Sequence, residues 1–376
     1  MMMTLIAAST AAAVQVVAPG IALIPGQFAA GKGPDGNSIL IEAPDGLILV
    51  DTGRHAAHQE NLLAFARESG KPIAAIVNTH WHIDHSGGNA EIMAAYPAAR
   101  LYTSTAVEGA LKDFFPKSRA AAEQYLASGQ ASAEQVAEIR HDFAAMDAAD
   151  TLRPDVPVQA SGPMRIAGRT IRVNYAPFAA TEGDVWLHDE TSGTVIVGDL
   201  VVDIVPFMDT ACPDGWRRAL DRLAATPFAR LVPGHGAVMN KATFLMWRSA
   251  YDNLLDCAAS DASRETCIAG WLKDAAAFIP PADGKRASEM VGYYLDTRLR
   301  AKPEERDRYC RPMGRSPATA LSASATRFIS ASNERPFSDP SSAARSATCH
   351  MVRPMRSAGT RICSPTASAS ASRSNA

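Results

Sequence analysis

Residues 78–89 read NTHWHIDHSGGN. His80, His82, Asp84 and His85 fall within six positions of a chain that has 9 histidines in all. The stretch follows PIAAIV, an apolar run that predicts a buried strand, so its side chains project from a loop at the end of a sheet. His80 and His82, two apart, can point the same way and share one metal ion, while Asp84 and His85 turn toward a second position. Imidazole suits zinc, and a carboxylate beside it adds a hard anionic donor. Gly87 and Gly88 let the backbone bend closely around the ions. An isolated histidine is usually a surface or hydrogen-bonded residue; three with an aspartate at this spacing predict a metal site.

Upstream, ALIPGQFAA, SILIEAPDG and LILVDTG are short β-type runs split by turn residues, and HQENLLAFARESG carries apolar residues at helical spacing before a glycine stop. Downstream, residues 106–148 read as an inserted helical segment. Strands return in MRIAGRTIRVNYAP, DVWLHDE and TVIVGDLVV, followed by a helix in WRRALDRLAAT. ARLVPGHG is a strand and turn, and residues 241–305 read as a C-terminal helical extension packed on the domain. Strands, helix, strands and helix in two similar halves predict two sheets packed face to face with helices outside.

Hydrophobic residues make up 47% of the 376 and charged ones 20%, enough for a sizeable core. No apolar run reaches the ~18 residues of a membrane span. From residue 311 onward the chain has nine Arg, no Lys and only Glu334 and Asp339 as acids, a net of +7. The whole-chain charge of −2 therefore leaves −9 on residues 1–310, a poor electrostatic match for nucleic acid. The Ser/Ala/Arg-rich tail, residues 311–376, has no helical or strand period and is expected to be disordered; a shifted reading frame would leave the same pattern. Residues 1–13 read as a signal-peptide remnant or a frayed terminus, since they have an apolar stretch and a small-residue site but no positively charged start.

With its HxHxDH signature the chain resembles the metallo-β-lactamase superfamily over roughly residues 14–240. Four further elements match in order: the Asp51-Thr-Gly turn, TEGD at 181–184, GDL at 198–200 and PGHG at 233–236. The resemblance implies an α/β fold, a four-layer αββα sandwich with added helices, and a metal centre at one edge. Carried over by position, His80 and His82 would ligate a first ion, Asp84, His85 and His235 a second, and Asp199 would bridge both. Asp51 would orient the ligand loops from behind. One departure stands out: the family places a histidine directly before the Thr-x-Gly-Asp, and here Ala180 occupies that position. His188 is a poor substitute, since eight residues of strand at ~3.3 Å each carry it about 25 Å away. Glu182 is nearer. His55, His58 and His141 are expected on helix surfaces, and His350 lies in the tail.

The resemblance implies a hydrolase of a small molecule, holding zinc as one or two ions with the first position weakened by Ala180. The metal-bound hydroxide would attack an ester, thioester, lactone or amide, with Asp84 positioning it or relaying a proton. Two alternatives stay open: a non-catalytic metal- or ligand-binding member, and a single-iron enzyme using oxygen. Asp199, where zinc β-lactamases place Cys or Ser, is similar to the thioesterase, lactonase and glyoxalase-type branch. Phe114, Phe115, Phe207 and Trp216 are candidate pocket walls, the stronger alternative for each being an ordinary core aromatic. The spacing of Cys257 and Cys267 suits a short disulfide-closed loop, the alternative being two unpaired thiols, and Cys212 lines the pocket mouth or merely packs. Together with the N-terminal stretch, this points to a periplasmic or exported location, the alternative being cytoplasmic.

Overall fold

The computed structural model describes residues 14–28 and 32–311; the expectations for residues 1–13 and for the tail lie outside the described residues, apart from Arg311. Seven strands form the first sheet in sequence order: β1 (Gln15–Ala18), β2 (Ile21–Ile24), β3 (Ser38–Ala43), β4 (Gly46–Val50), β5 (Ile73–Val77), β6 (Arg100–Thr103) and β7 (Val156–Pro157). The second comprises β8 (Gly162–Ile166), β9 (Arg169–Pro177), β10 (Gly183–Asp189), β11 (Thr194–Ile196) and β12 (Arg230–Val232), in the order β12-β11-β10-β9-β8.

Strand alternation produces the layers. Successive side chains point to opposite faces, so Ile39, Ile41, Ile48 and Val50 enter the core shared with Val173, Val185, Leu187 and Ile196 of the second sheet. Leu40, Leu47 and Leu49 point the other way, against Leu62, Leu63 and Ala66 of α1 (Ala56–Ser69). On the far side, Trp186, Val195 and Leu231 meet Trp216, Leu220 and Leu223 of the Pro213–Ala225 helix. The architecture is the αββα sandwich that the sequence predicts.

Three tryptophans then tie helices to one loop. Trp216, Trp247 and Trp271 donate their indole N–H groups to the carbonyls of Leu200, Val202 and Ile204, at 3.0, 2.6 and 2.9 Å. They come from the helices Pro213–Ala225, Lys241–Ala259 and Arg264–Asp274. Every second carbonyl after Asp199 is thus satisfied in the interior, where an unpaired acceptor would cost ~1–3 kcal/mol. The loop beside Asp199 is held by the helices that follow it in sequence.

Candidate metal centre

Strand β5 delivers the 78–89 segment to the sheet edge, and α2 (Ile83–Ser86) turns Asp84 and His85 inward. Asp51, directly after β4, has a φ of 60°, a conformation that costs a non-glycine residue about 1–2 kcal/mol. Its carboxylate offsets that cost by accepting from Thr79 N–H and Thr79 Oγ1, both at 2.7 Å, and from His85 Nδ1 at 2.8 Å. The last bond aims His85 Nε2 into the site.

The second sheet supplies the facing groups. Asp199 follows β11, and His235 follows the parallel neighbour β12, so both emerge at one edge. Asn37 Nδ2 donates to Pro233 O at 3.0 Å and to Gly236 O at 2.9 Å, clamping the turn that carries His235. A Cβ at Gly234 would lie 2.1 Å from Asp199 Oδ1, and one at Gly36 would lie 2.3 Å from His85 Cε1. Only glycine lets these turns approach so closely.

His85 Nε2 lies 3.2 Å from His235 Nε2, 3.0 Å from Asp199 Oδ1 and 3.7 Å from Asp84 Oδ2. His235 Nε2 is 3.2 Å from Asp84 Oδ2 and 3.5 Å from Asp199 Oδ1. Ligands at about 2.0–2.1 Å around a tetrahedral zinc stand roughly 3.3 Å apart, so Asp84, His85 and His235, whose ligand atoms lie within 4.8 Å of one another, fit an ion, with Asp199 beside them against both imidazoles. The buried Asp199 Oδ1, without a well-directed hydrogen bond, is a further mark of that fit. Burial opposes protonation of His85, but the carboxylates of Asp199, Asp84 and Asp51 outweigh it and hold the ring well above the ordinary imidazole range. A bound cation would answer the same surplus of negative charge.

His80 and His82 form a second arrangement. Thr79 Oγ1 gives its proton to Asp51, so it accepts from His80 Nδ1 at 3.0 Å and leaves His80 Nε2 as a lone pair. Thr210 Oγ1 donates to Ala180 O and accepts from His82 Nε2, each at 3.0 Å, which leaves His82 Nδ1 as a lone pair. The two lone pairs face each other at 2.9 Å, the spacing of two ligands on one ion. Burial pushes His82 down to about 4 and His80 well below the ordinary range, so both rings are neutral. His80 groups with His85 and Asp199, but among the described residues His82 joins no cluster of three. His188 lies within β10, paired with Arg172 and Val195, and Glu182 gives its carbonyl to Phe178 N–H; neither belongs to a cluster. Asp184 bonds Thr181 N and Oγ1 at 3.0 and 3.1 Å and so pins the loop that carries Ala180.

Several residues depart from the expectations. His58 is 3% exposed, with Nε2 2.8 Å from Ser38 Oγ, because the face of α1 that carries it packs inward. His55 pairs with Asp35 at 2.9 Å, and His141 Nε2 meets Arg54 O at 2.5 Å, so neither is a simple surface residue. Trp216 is fully buried under the loop after Asp199 and is no pocket wall, whereas Phe114, Phe115 and Phe207 line a cavity beside the cluster. Cys257 bonds Cys267, and Cys212 bonds Cys310. Sequence reading missed the Cys212–Cys310 bond, together with Asp35, Asn37 and Thr210. Each is a single polar or sulfur residue with no local repeat to mark it.

A family profile described as the metallo-beta-lactamase superfamily matches residues 31–235. A linear primary-alkylsulfatase of Pseudomonas sp. is 54% identical over 50 residues, covering 13% of this chain and 10% of that protein. A hydroxyacylglutathione hydrolase of Synechococcus sp. is 44% identical over 50 residues, covering 13% of this chain and 20% of that protein. The matches thus span a tenth to a fifth of these curated relatives. Among solved structures, the stereoselective inverting sec-alkylsulfatase Pisa1 from Pseudomonas sp. aligns with a TM-score of 0.52 at 18% identity, covering 79% of this chain and 50% of that one. That likeness is one of fold.

Proposed function

The chain belongs to the metallo-β-lactamase superfamily, and from that membership we propose that it is a metal-dependent hydrolase of a small molecule bearing an ester, thioester, lactone or amide bond. The observation that carries this reading is the trio Asp84, His85 and His235 at ligand spacing, with Asp199 3.0 Å from His85 Nε2. Two imidazoles with two carboxylates suit zinc. Such an ion, when bound, supplies Lewis acidity and brings the pKa of water from 15.7 to about 7. The remaining work belongs to the protein. Burial opposes ionisation of Asp84, yet His85, His235 and Arg54 hold its carboxyl well below the usual range, so it stays ionised and would hold the ion and position the attacking water. Asp51 fixes the direction of His85, and Thr210 that of His82.

A one-ion centre is the second reading within this proposal, favoured because His82 joins no trio among the described residues. A binding protein or a single-iron oxygen enzyme would share these ligands. Metal analysis beside a panel of ester, lactone, thioester, amide and β-lactam substrates separates the cases. Hydrolysis lost on chelation and restored by zinc supports the proposal; tight metal binding with no turnover on any of them supports the binding reading. Two disulfides favour an exported location, since such bonds persist in oxidising compartments. Among the described residues, no helix is long and apolar enough to cross a membrane.

A further inference from the structure

Beside the metal-ligand cluster lies a cavity of about 150 Å³. His82, Asp84, Asp199 and His235 line it, and Phe114, Phe115, Met146, Phe207, Met290 and Tyr294 supply apolar surface beside them. Three parts of the chain build that surface. Phe114, Phe115 and Met146 come from the helical segment after β6, Phe207 from the loop after Asp199, and Met290 and Tyr294 from the Gly284–Tyr294 helix. The rings are braced: Phe114 lies 4.8 Å from Trp81, and Phe207 lies 5.3 Å from His82 and 6.2 Å from Tyr294, between centroids. Trp81 stands between His80 and His82 in sequence, so the apolar wall is continuous with the ligand loop.

The charges on the wall restrict what can enter. Among the described lining residues Arg54 is the sole Lys or Arg. Its Nη1 lies 3.5 Å from Glu138 Oε1, and its Nε lies 3.3 Å from Asp142 Oδ1. That cation is already answered by two carboxylates, while Asp84, Asp142, Asp199 and Asp203 also line the cavity. Away from the ion, an anionic substituent would lose its water and meet no lining Lys or Arg that two carboxylates do not already answer. An apolar hole of about 150 Å³ accommodates a benzene ring, which sets the upper limit here, since this volume is shared with the ligand side.

We infer that the cavity seats a neutral, apolar substituent of the substrate, the size of a phenyl ring or a chain of about six carbons, with Phe114, Phe207 and Tyr294 setting the size limit. The substrate class is then an uncharged aryl- or medium-chain acyl compound. The identity of the bond cleaved rests on the hydrolase reading above; the seat does not.

The test uses the zinc-loaded full chain and ligands that cannot be hydrolysed. Calorimetric titration with 2-butanone, 2-hexanone and 2-octanone should show affinity rising about fourfold per methylene. In the zinc-free chain, where no ion can take up its carboxylate, the analogue 7-oxooctanoate should bind at least 100-fold more weakly than 2-octanone. Phe207→Ala should weaken 2-octanone at least tenfold more than 2-butanone, and Phe207→Trp, which fills space instead of removing it, should move the preference to shorter chains. Ethyl esters of the same chain lengths are assayed in parallel. The chain-length trend without ester hydrolysis supports the seat and counts against the ester arm of the hydrolase reading alone. Equal affinity across the ketones, or tighter binding of 7-oxooctanoate than of 2-octanone to the zinc-free chain, overturns the inference whatever the esters do.

Discussion

Thr210 Oγ1 lies 3.0 Å from His82 Nε2 and donates to Ala180 O at the same distance. A hydroxyl therefore links His82 to the backbone of Ala180, the position where the resemblance implies a histidine. His80 and His82 keep their facing lone pairs, and we propose that a third imidazole is what this position lacks. Ala180→His should supply it and raise affinity for a second equivalent of zinc. Changes behind the ligands typically alter metal affinity 10–100-fold, and a gained ligand should be at least as visible. Ala180 is buried, so Ala180→His combined with Thr210→Ser gives the ring more room. Equal second-equivalent affinity in wild type and both variants would mean that the first position was never deficient.

The three tryptophans that hold the loop after Asp199 should each matter to stability. Trp271→Phe keeps most of the packing but leaves Ile204 O unsatisfied, an expected loss of ~1–3 kcal/mol in urea unfolding. Trp247→Phe should behave alike through Val202 O. Unchanged midpoints would show that water replaces the indole N–H without cost.

The two disulfides should differ in strength. Cys212–Cys310 closes a separation of 98 residues and Cys257–Cys267 one of 10. Loop-closure entropy assigns about 4–5 kcal/mol to the long loop and about 3 kcal/mol to the short one. Truncation after residue 311 should leave folding and zinc binding intact, because the removed segment carries no proposed ligand. Truncation before Cys310 should reproduce the Cys212→Ala loss. Equal stability of the two truncated proteins would count against this ordering.

Asp35 makes a pH-dependent contribution. It accepts from Arg54 N–H at 2.7 Å and from His55 N–H at 2.8 Å, with His55 Nδ1 at 2.9 Å. Burial opposes its ionisation, but the bonds from His55 win and its carboxyl titrates below the usual range. A depressed carboxylate stabilises the fold fully above its unfolded value of about 3.9, and the contribution is lost as pH falls through the folded value. Asp35→Asn should therefore cost ~1–3 kcal/mol at pH 7, with the gap closing below about pH 4. A gap constant from pH 7 to pH 3 would assign the loss to packing instead.

What the sequence reveals depends on whether the relevant signal is local. The alternation of Ile39, Leu40 and Ile41 marks both faces of a strand, so the layers were legible. His80, His82, Asp84 and His85 sit in one heptapeptide, whereas Asp199 and His235 emerged only through the ordered motifs of a resemblance. Thr210 was illegible because it lies 128 residues from His82, and one hydroxyl carries no pattern. The Cys212–Cys310 pair was illegible for the same reason, since spacing alone does not define a long-range bond. An aromatic side chain suits a core and a pocket wall equally, and Trp216 takes the core alternative. The helix that carries it buries Trp216 together with Leu220 and Leu223.

The central claim, one complete metal position built on His85, Asp84, His235 and Asp199, is tested most directly by titrating the apo protein with zinc. Wild type, His235→Ala and His82→Ala should be compared at fixed pH, with bound metal counted after dialysis. The expected result is one tight equivalent in wild type, its loss in His235→Ala, and its retention in His82→Ala. Two equally tight equivalents in wild type, or loss of the first equivalent in His82→Ala but not in His235→Ala, would contradict it.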